Sequence, residues 1–303
     1  MSALDGAGIA ASLAELIALG GPAAQWVRRK AAAPGAHLAT QRGRGMEFSE
    51  ARPYQPGDDA RAIDWRQTAR RGRMYTKLFQ EEHEHIVRLL VDLGPSMRFG
   101  TRVAFKSVLA VKAAAWIAWR AVAAGDRVGL TLWNGERQDT MRPQARRAGI
   151  LCLLRCLADA SGTAPAAAAQ GLTPVLRSLG QSALPNSAIV IISDFARLDA
   201  DTERHIAALA RRAELKLIHV YDPFEALPPP GRYRLSDGAR ELCLDLRSAA
   251  ARTAHGAEFN ARRAALQQLA GRCGAALQTL ATDADLAGVL ARTMRQCGHP
   301  YAP

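Results

Sequence analysis

The amino-acid sequence predicts an α/β protein: a mostly parallel sheet with helices on both faces, preceded by an N-terminal helix and an irregular arm. Two observations carry this. From Ile86 onward, short apolar runs alternate with longer stretches of helical period, the order that builds a parallel sheet covered on both sides. Two of those runs end in aspartates, Asp92 and Asp194, at the position where open α/β sheets place their ligands.

Residues 8–30 read as helical, with Ile9, Leu13, Leu16, Ile17, Leu19 and Trp26 as apolar positions and a break at Gly20-Gly21-Pro22. Ala31–Ala36 reads as a linker. Residues 37–85 show no clean period, although Met74–Phe79 has strand character. IVRLLVD (86–92) is a buried strand, and 103–124 a long apolar helix. RVGLTLW (127–133) is a strand, and helices are expected over 148–158 and 164–179. SAIVIISD (187–194) is continuously apolar, as central parallel strands are. A helix over 201–212, a strand over 214–222 and a proline-rich turn at 227–231 follow. Residues 233–246 read as a hairpin turning at Asp237-Gly238. The chain closes with a helix over 258–273, a strand over 276–280 and a helix over 284–295. Three regions result: an N-terminal helical segment and linker (1–36), an arm (37–85) and an α/β domain (86–297).

The formal charge of +12 points to an acidic partner, nucleic acid or an anionic membrane surface. The excess is local: Arg28–Lys77 carries twelve Lys or Arg against five Asp or Glu. Five cysteines without a Cys-x-x-Cys pair argue against a disulfide framework. Cys152 and Cys156, four apart, read as core residues. Lys106, Lys112 and Arg120 interrupt the longest apolar helix, so no transmembrane segment is expected. With no signal peptide apparent either, the expected location is cytoplasmic.

The chemistry concentrates in two places. At the strand ends, Asp92, Ser96 and Asp194, joined by Thr163 ahead of the next expected helix, form an oxygen-rich set suited to a hard cation such as Mg²⁺. In the arm, Pro56-Gly57 fits a type II turn, and Asp58 or Asp59 can cap a short helix through Ile63 and Trp65. Asp64 lies three residues after Arg61, within pairing distance. Trp65 reads as a buried anchor of an Arg/Asp network that folds the arm against the sheet. His83-Glu84-His85 lacks a third metal ligand and reads as a strand edge.

The strand-end set resembles the metal-ion-dependent adhesion site of von Willebrand factor A domains, a Rossmann-type fold. There the pattern is Asp-x-Ser-x-Ser, then Thr, then Asp. Here Gly94 stands in place of the first Ser, so any Mg²⁺ is expected to be weakly held. The arm, with Arg52, Tyr54, Gly57, Asp58, Asp59, Arg61, Ile63, Asp64, Trp65, Ala69 and Arg70 in order, resembles the bacterial family called "domain of unknown function fifty-eight". The resemblance extends over roughly 37–250 through Ile191-Ile192-Ser193-Asp194-Phe195 and the segment Tyr221-Asp222-Pro223 with Glu225, Leu227 and Pro228. It implies a von Willebrand factor A-like domain and a partnership with a MoxR-type AAA+ ATPase or its client, in chaperone-like or complex-assembly work.

The expected function is therefore non-catalytic: an adaptor binding through the adhesion-like site. Two alternatives stand beside it. One is a nucleic-acid binder using 28–77, against which the interleaved aspartates argue. The other is a metal-dependent hydrolase using Asp92 and Asp194, which lacks an accompanying nucleophile or base in the sequence.

Overall fold

The computed structural model describes residues 6–21, 38–39, 46–55, 63–82, 85–163, 170–182, 187–236 and 241–296. In chain order, the first elements are helices α1 (Gly6–Ile9) and α2 (Leu13–Ala18). The arm holds strands β1 (Leu38–Ala39), β2 (Met46–Pro53) and β3 (Tyr75–Glu82), with helix α3 (Trp65–Arg71) between the last two. The α/β region begins with β4 (Ile86–Asp92), a 3₁₀ turn (Pro95–Met97) and α4 (Lys106–Ala124). Strands β5 (Arg127–Trp133) and β6 (Gln138–Gln144) follow, then helices α5 (Arg146–Gly162) and α6 (Thr173–Ser182). Next are β7 (Ser187–Ser193), α7 (Ala200–Ala210), β8 (Glu214–Tyr221) and the short α8 (Pro223–Ala226). A hairpin of β9 (Arg232–Ser236) and β10 (Glu241–Asp245) precedes α9 (Ala249–Cys273), β11 (Ala276–Ala281) and α10 (Leu286–Gln296).

The main sheet has six strands in the order β11-β8-β7-β4-β5-β6. Numbered from its own first strand, that is 6-5-4-1-2-3, the doubly wound order. All neighbours are parallel except the edge strand β6, which runs antiparallel to β5. The order reverses between β4 and β7. The adjacent loops there leave in opposite directions and open a crevice at the carboxyl ends of these strands.

The apolar runs explain the layers. β7 is buried along its whole length and β4 over its second half, so their side chains feed both faces. On one face, α4 packs through Val108, Val111, Ala115 and Trp116 in a cluster that also holds Leu89, Val190 and Leu154. On the other, Leu90, Ile191 and Leu217 meet Val175 and Leu176 of α6, Leu209 of α7 and Leu266 of α9.

Several expectations are revised. The helix expected over 164–179 is present only as α6, from Thr173; residues 164–169 lie outside the described residues. The edge strand β6 and the strand β2, paired to β3, were not foreseen. α9 begins at Ala249, nine residues before the expected 258. Residues 6–21 join the α/β core: Leu16 is fully buried, its carbonyl accepts from Trp119 Nε1 at 3.0 Å, and the Ala11 N–H donates to Ser161 Oγ at 2.9 Å. Cys152 is exposed, against expectation, whereas Cys156 is half-buried and packs against the core. The remainder of the 8–30 helix, His83, Glu84 and the Asp237-Gly238 turn lie outside the described residues.

Candidate functional site

The strand-end crevice is built from two adjacent strand termini. Val91 pairs with Ile192, so Asp92 and Ser193 leave the sheet side by side. The Ser193 hydroxyl donates to Asp92 Oδ2 at 2.6 Å, and the Gly94 N–H donates to Oδ1 at 2.9 Å. Beyond Ser193 the chain turns sharply. Phe195 has φ of 48°, alone in the left-handed region among the described non-glycine residues. Such a conformation costs on the order of 1 kcal/mol and is kept where the surroundings fix it. Burial of the Phe195 side chain does so here, with N–H bonds from Phe195 to Ser193 Oγ (3.0 Å) and from Ala196 to Asp194 Oδ1 (3.1 Å).

Asp194 is turned toward a cation that belongs to the protein. Lys106, the first residue of α4, donates from Nζ to Asp194 Oδ2 at 2.8 Å and to Glu225 Oε1 at 2.9 Å. Glu225 is itself fixed, because its other oxygen accepts the Asp222 N–H at 2.9 Å in a capping box at the start of α8. Asp222 is fully buried and accepts from the Thr101 and Thr282 hydroxyls, both at 2.7 Å.

The electrostatics follow from this layout. Burial pushes Asp92 up to about 7, the Asp194 charge adds to the rise, and bonds from Ser193 and Gly94 offset only part of it. Burial acts on Asp194 in the same direction, but the Lys106 ammonium, the Ala196 N–H and the Ser96 hydroxyl outweigh it and hold it below the usual carboxylate range. Lys106 is raised in turn: burial works against its charge, and Asp194 and Glu225 outweigh that effect.

Between the strand ends lies a cleft of about 120 Å³, lined among others by Asp92, Gly94, Ser96, Gln170, Asp194 and Arg197. Three of the four expected ligands, Asp92, Ser96 and Asp194, are thus brought together. Thr163 is not among the lining residues. It ends α5, is exposed, and its hydroxyl donates to the Asp159 carbonyl at 3.0 Å.

A resident Mg²⁺ fits this set poorly. It requires near-octahedral oxygen coordination. Both Asp92 oxygens and both Asp194 oxygens already accept internal bonds, and a buried ammonium supplies the positive charge. Among the described residues, no three His, Cys, Asp or Glu side chains group as a metal site. Gly94 is also no simple vacancy for a serine: a Cβ there would stand 3.1 Å from Asp92 Oδ1.

The residues that the sequence reading missed are Lys106, Glu225 and Ser193. Glu225 and Ser193 were visible within familiar motifs, and Lys106 only as an interruption in an apolar helix.

The arm departs from expectation at Trp65, which is 69% exposed at the first position of α3 rather than a buried anchor. The buried residue is its neighbour Asp64, whose Oδ1 accepts the Arg66 and Gln67 N–H groups, both at 3.1 Å, as the N-cap. Ile63 is no part of the helix and bridges to Thr76. Tyr54 donates its N–H to the Met74 carbonyl at 2.8 Å, and Arg52 Nη1 donates to the Pro53 carbonyl at 3.3 Å. Arg70 is exposed on α3. Gly57, Asp58, Asp59 and Arg61 lie outside the described residues.

The strand order, the antiparallel edge and the acid pair at the switch point define a von Willebrand factor A-like domain. The chain belongs to the family described as "Protein of unknown function DUF58", which it matches over residues 50–265. Uncharacterized proteins of Mycobacterium bovis and Mycobacterium tuberculosis are 34% identical over 258 residues, covering 83% of this chain and 79% of theirs. Among solved structures, a von Willebrand factor type A protein from Catenulispora acidiphila matches at TM-score 0.40 and 10% identity, over 73% of this chain and 44% of that one. An aerotolerance-related membrane protein from Bacteroides fragilis matches at TM-score 0.39 and 15% identity, over 61% and 98%. A membrane spanning protein from Vibrio fischeri matches at TM-score 0.23 and 16% identity, over 71% and 99%.

The cytoplasmic location expected from the sequence is corrected here. It rested in part on the polarity of the longest apolar helix, yet Lys106–Ala124, with 19 residues and mean hydropathy 1.4, is long and apolar enough to cross a membrane by length and composition. In this fold the same helix packs on the sheet, with 72% of its apolar window buried.

Proposed function

We propose that this protein is a non-catalytic interaction module that docks a MoxR-type AAA+ ATPase, or that ATPase's client, through the strand-end face. The observation that carries it is the cleft at the switch point between β4 and β7. It is a concave site with an apolar floor that includes Trp133, Leu172 and Phe195, rimmed by the exposed Ser96 and Gln170, at the strand termini. Both oxygens of Asp92 and of Asp194 accept internal bonds, which suits a fixed recognition surface better than a nucleophile free to reach a substrate. The test is affinity capture of the tagged protein from its native cell, with bound proteins identified by mass spectrometry. A MoxR-type ATPase captured by wild type and lost with Ser96→Arg supports the reading. Its absence from the wild-type capture contradicts it.

One observation favours a second reading, contact with nucleic acid. α3 and the turn after it present Trp65 with Arg66, Arg70, Arg71 and Arg73, all exposed. An exposed aromatic beside arginines is the composition of a base-stacking surface. Sub-micromolar binding of single-stranded DNA, falling steeply with salt and lost with Trp65→Ala, would establish it.

A further inference from the structure

We infer that Lys106 Nζ is the resident cation of the strand-end site and that the site works without a divalent metal. Three separated parts of the chain build its cage. α4 delivers the ammonium from its first residue, and the Lys106 N–H is pinned to the Phe99 carbonyl at 2.8 Å. The turn after β7 supplies Asp194, and α8 supplies Glu225. The face of the Phe99 ring lies 5.8 Å from Nζ, a further favourable contact for a cation. Asp222, anchored by Thr101 and Thr282, fixes α8 and so fixes Glu225. The Lys106 and Asp194 side chains are only 2% and 5% exposed, so this is a buried pair and not a surface contact.

A buried ammonium with two carboxylate partners satisfies two of its three donors and offsets one unit of the two carboxylates' combined charge. A divalent ion entering the cleft would meet a like charge behind Asp194. It would also have to share Asp194 Oδ2 with Nζ and Asp92 Oδ2 with the Ser193 hydroxyl. The cleft therefore presents fixed hydrogen-bonding groups rather than an open coordination position. It is built to take a hydrogen-bonding group of a partner and not a carboxylate that completes a metal shell. This last step rests on the docking reading; the cation assignment does not.

The experiment is titration of the full chain with Mg²⁺ and Mn²⁺ at millimolar concentration, by calorimetry and Mn²⁺ electron paramagnetic resonance. Wild type is compared with Lys106→Met/Glu225→Gln, which removes one charge of each sign and so limits the damage to folding. Thermal melts confirm that the variant is folded. Should that variant not fold, Lys106→Gln takes its place. The expected result is no saturable binding by wild type and a gain of saturable Mn²⁺ binding in the variant, lost again on adding Asp194→Asn. Equal behaviour of wild type and variant, whether both bind or neither does, overturns the inference. So does wild-type binding that disappears with Asp194→Asn. No partner is needed, so failure of the docking reading, seen as an absent ATPase complex, is a separate outcome. Where the complex forms, a chelator is expected to leave it intact.

Discussion

Lys106 Nζ lies 2.8 Å from Asp194 Oδ2, although 88 residues separate the two in sequence. That pair determines how the crevice is charged. It holds Asp194 ionised and leaves Asp92, 7% exposed beside it, as the group whose protonation responds to neutral pH.

Asp92 therefore predicts a pH signature. Its folded value of about 7 stands above the ordinary aspartate value of 3.8, so between these two pH values the folded protein holds a proton that the unfolded chain has released. Stability is lost as pH rises through that window, by up to about 1.4 kcal/mol per pH unit, and the loss levels off above it. Asp92→Asn removes this slope. Melting of wild type and variant from pH 4 to pH 8 should show the variant gaining on wild type up to about pH 7 and holding a constant offset beyond it. Parallel curves would show that Asp92 is ionised throughout.

His219 predicts the opposite slope. It is buried, stacked on Tyr221 at 5.8 Å and Phe259 at 5.9 Å, and its Nδ1 has no hydrogen-bond partner among the described residues. Burial lowers it to about 4 from 6.5, so the unfolded chain takes up a proton first as pH falls. Stability is present above pH 6.5 and is lost as pH falls through the window toward 4. His219→Phe keeps the stacking and removes the titration. Its melting temperature should match wild type within a few degrees at pH 7.5 and exceed it progressively below pH 6.5. A constant difference across this range would contradict the assignment.

The arm predicts a contrast between neighbours. Trp65→Ala removes an exposed side chain and should cost no more than about 0.5 kcal/mol. Asp64→Ala removes a buried N-cap that accepts two N–H groups and should cost about 1 kcal/mol, up to about 2. Denaturant unfolding of the two variants checks the order. A larger loss at Trp65 would mean that the ring is buried.

What the sequence revealed depends on where the relevant physics is written. The central strands were legible because a strand buried on both faces must be continuously apolar, as SAIVIIS is. The edge strand β6, QDTMRPQ, is polar and carries a proline, so its strand character comes from pairing with β5 and not from its own pattern. Asp92 and Asp194 were legible because each ends an apolar run. Lys106 was not, since its partners lie 88 and 119 residues away and a lysine in an apolar helix reads as an interruption. Trp65 was misread because size and apolarity suggest burial, whereas the N-cap geometry of Asp64 buries the smaller residue and turns the ring outward.

The central claim is that the strand-end cleft is the face that meets the ATPase. Site-specific photo-crosslinking tests it most directly, with the crosslinker placed at Ser96 on the cleft rim or at Gln268, exposed near the far end of α9. With the purified MoxR-type ATPase of the same cell as partner, a covalent adduct is predicted from position 96, undiminished by chelator, and none from position 268. An adduct from 268 alone, or equal yields from both, would contradict the account.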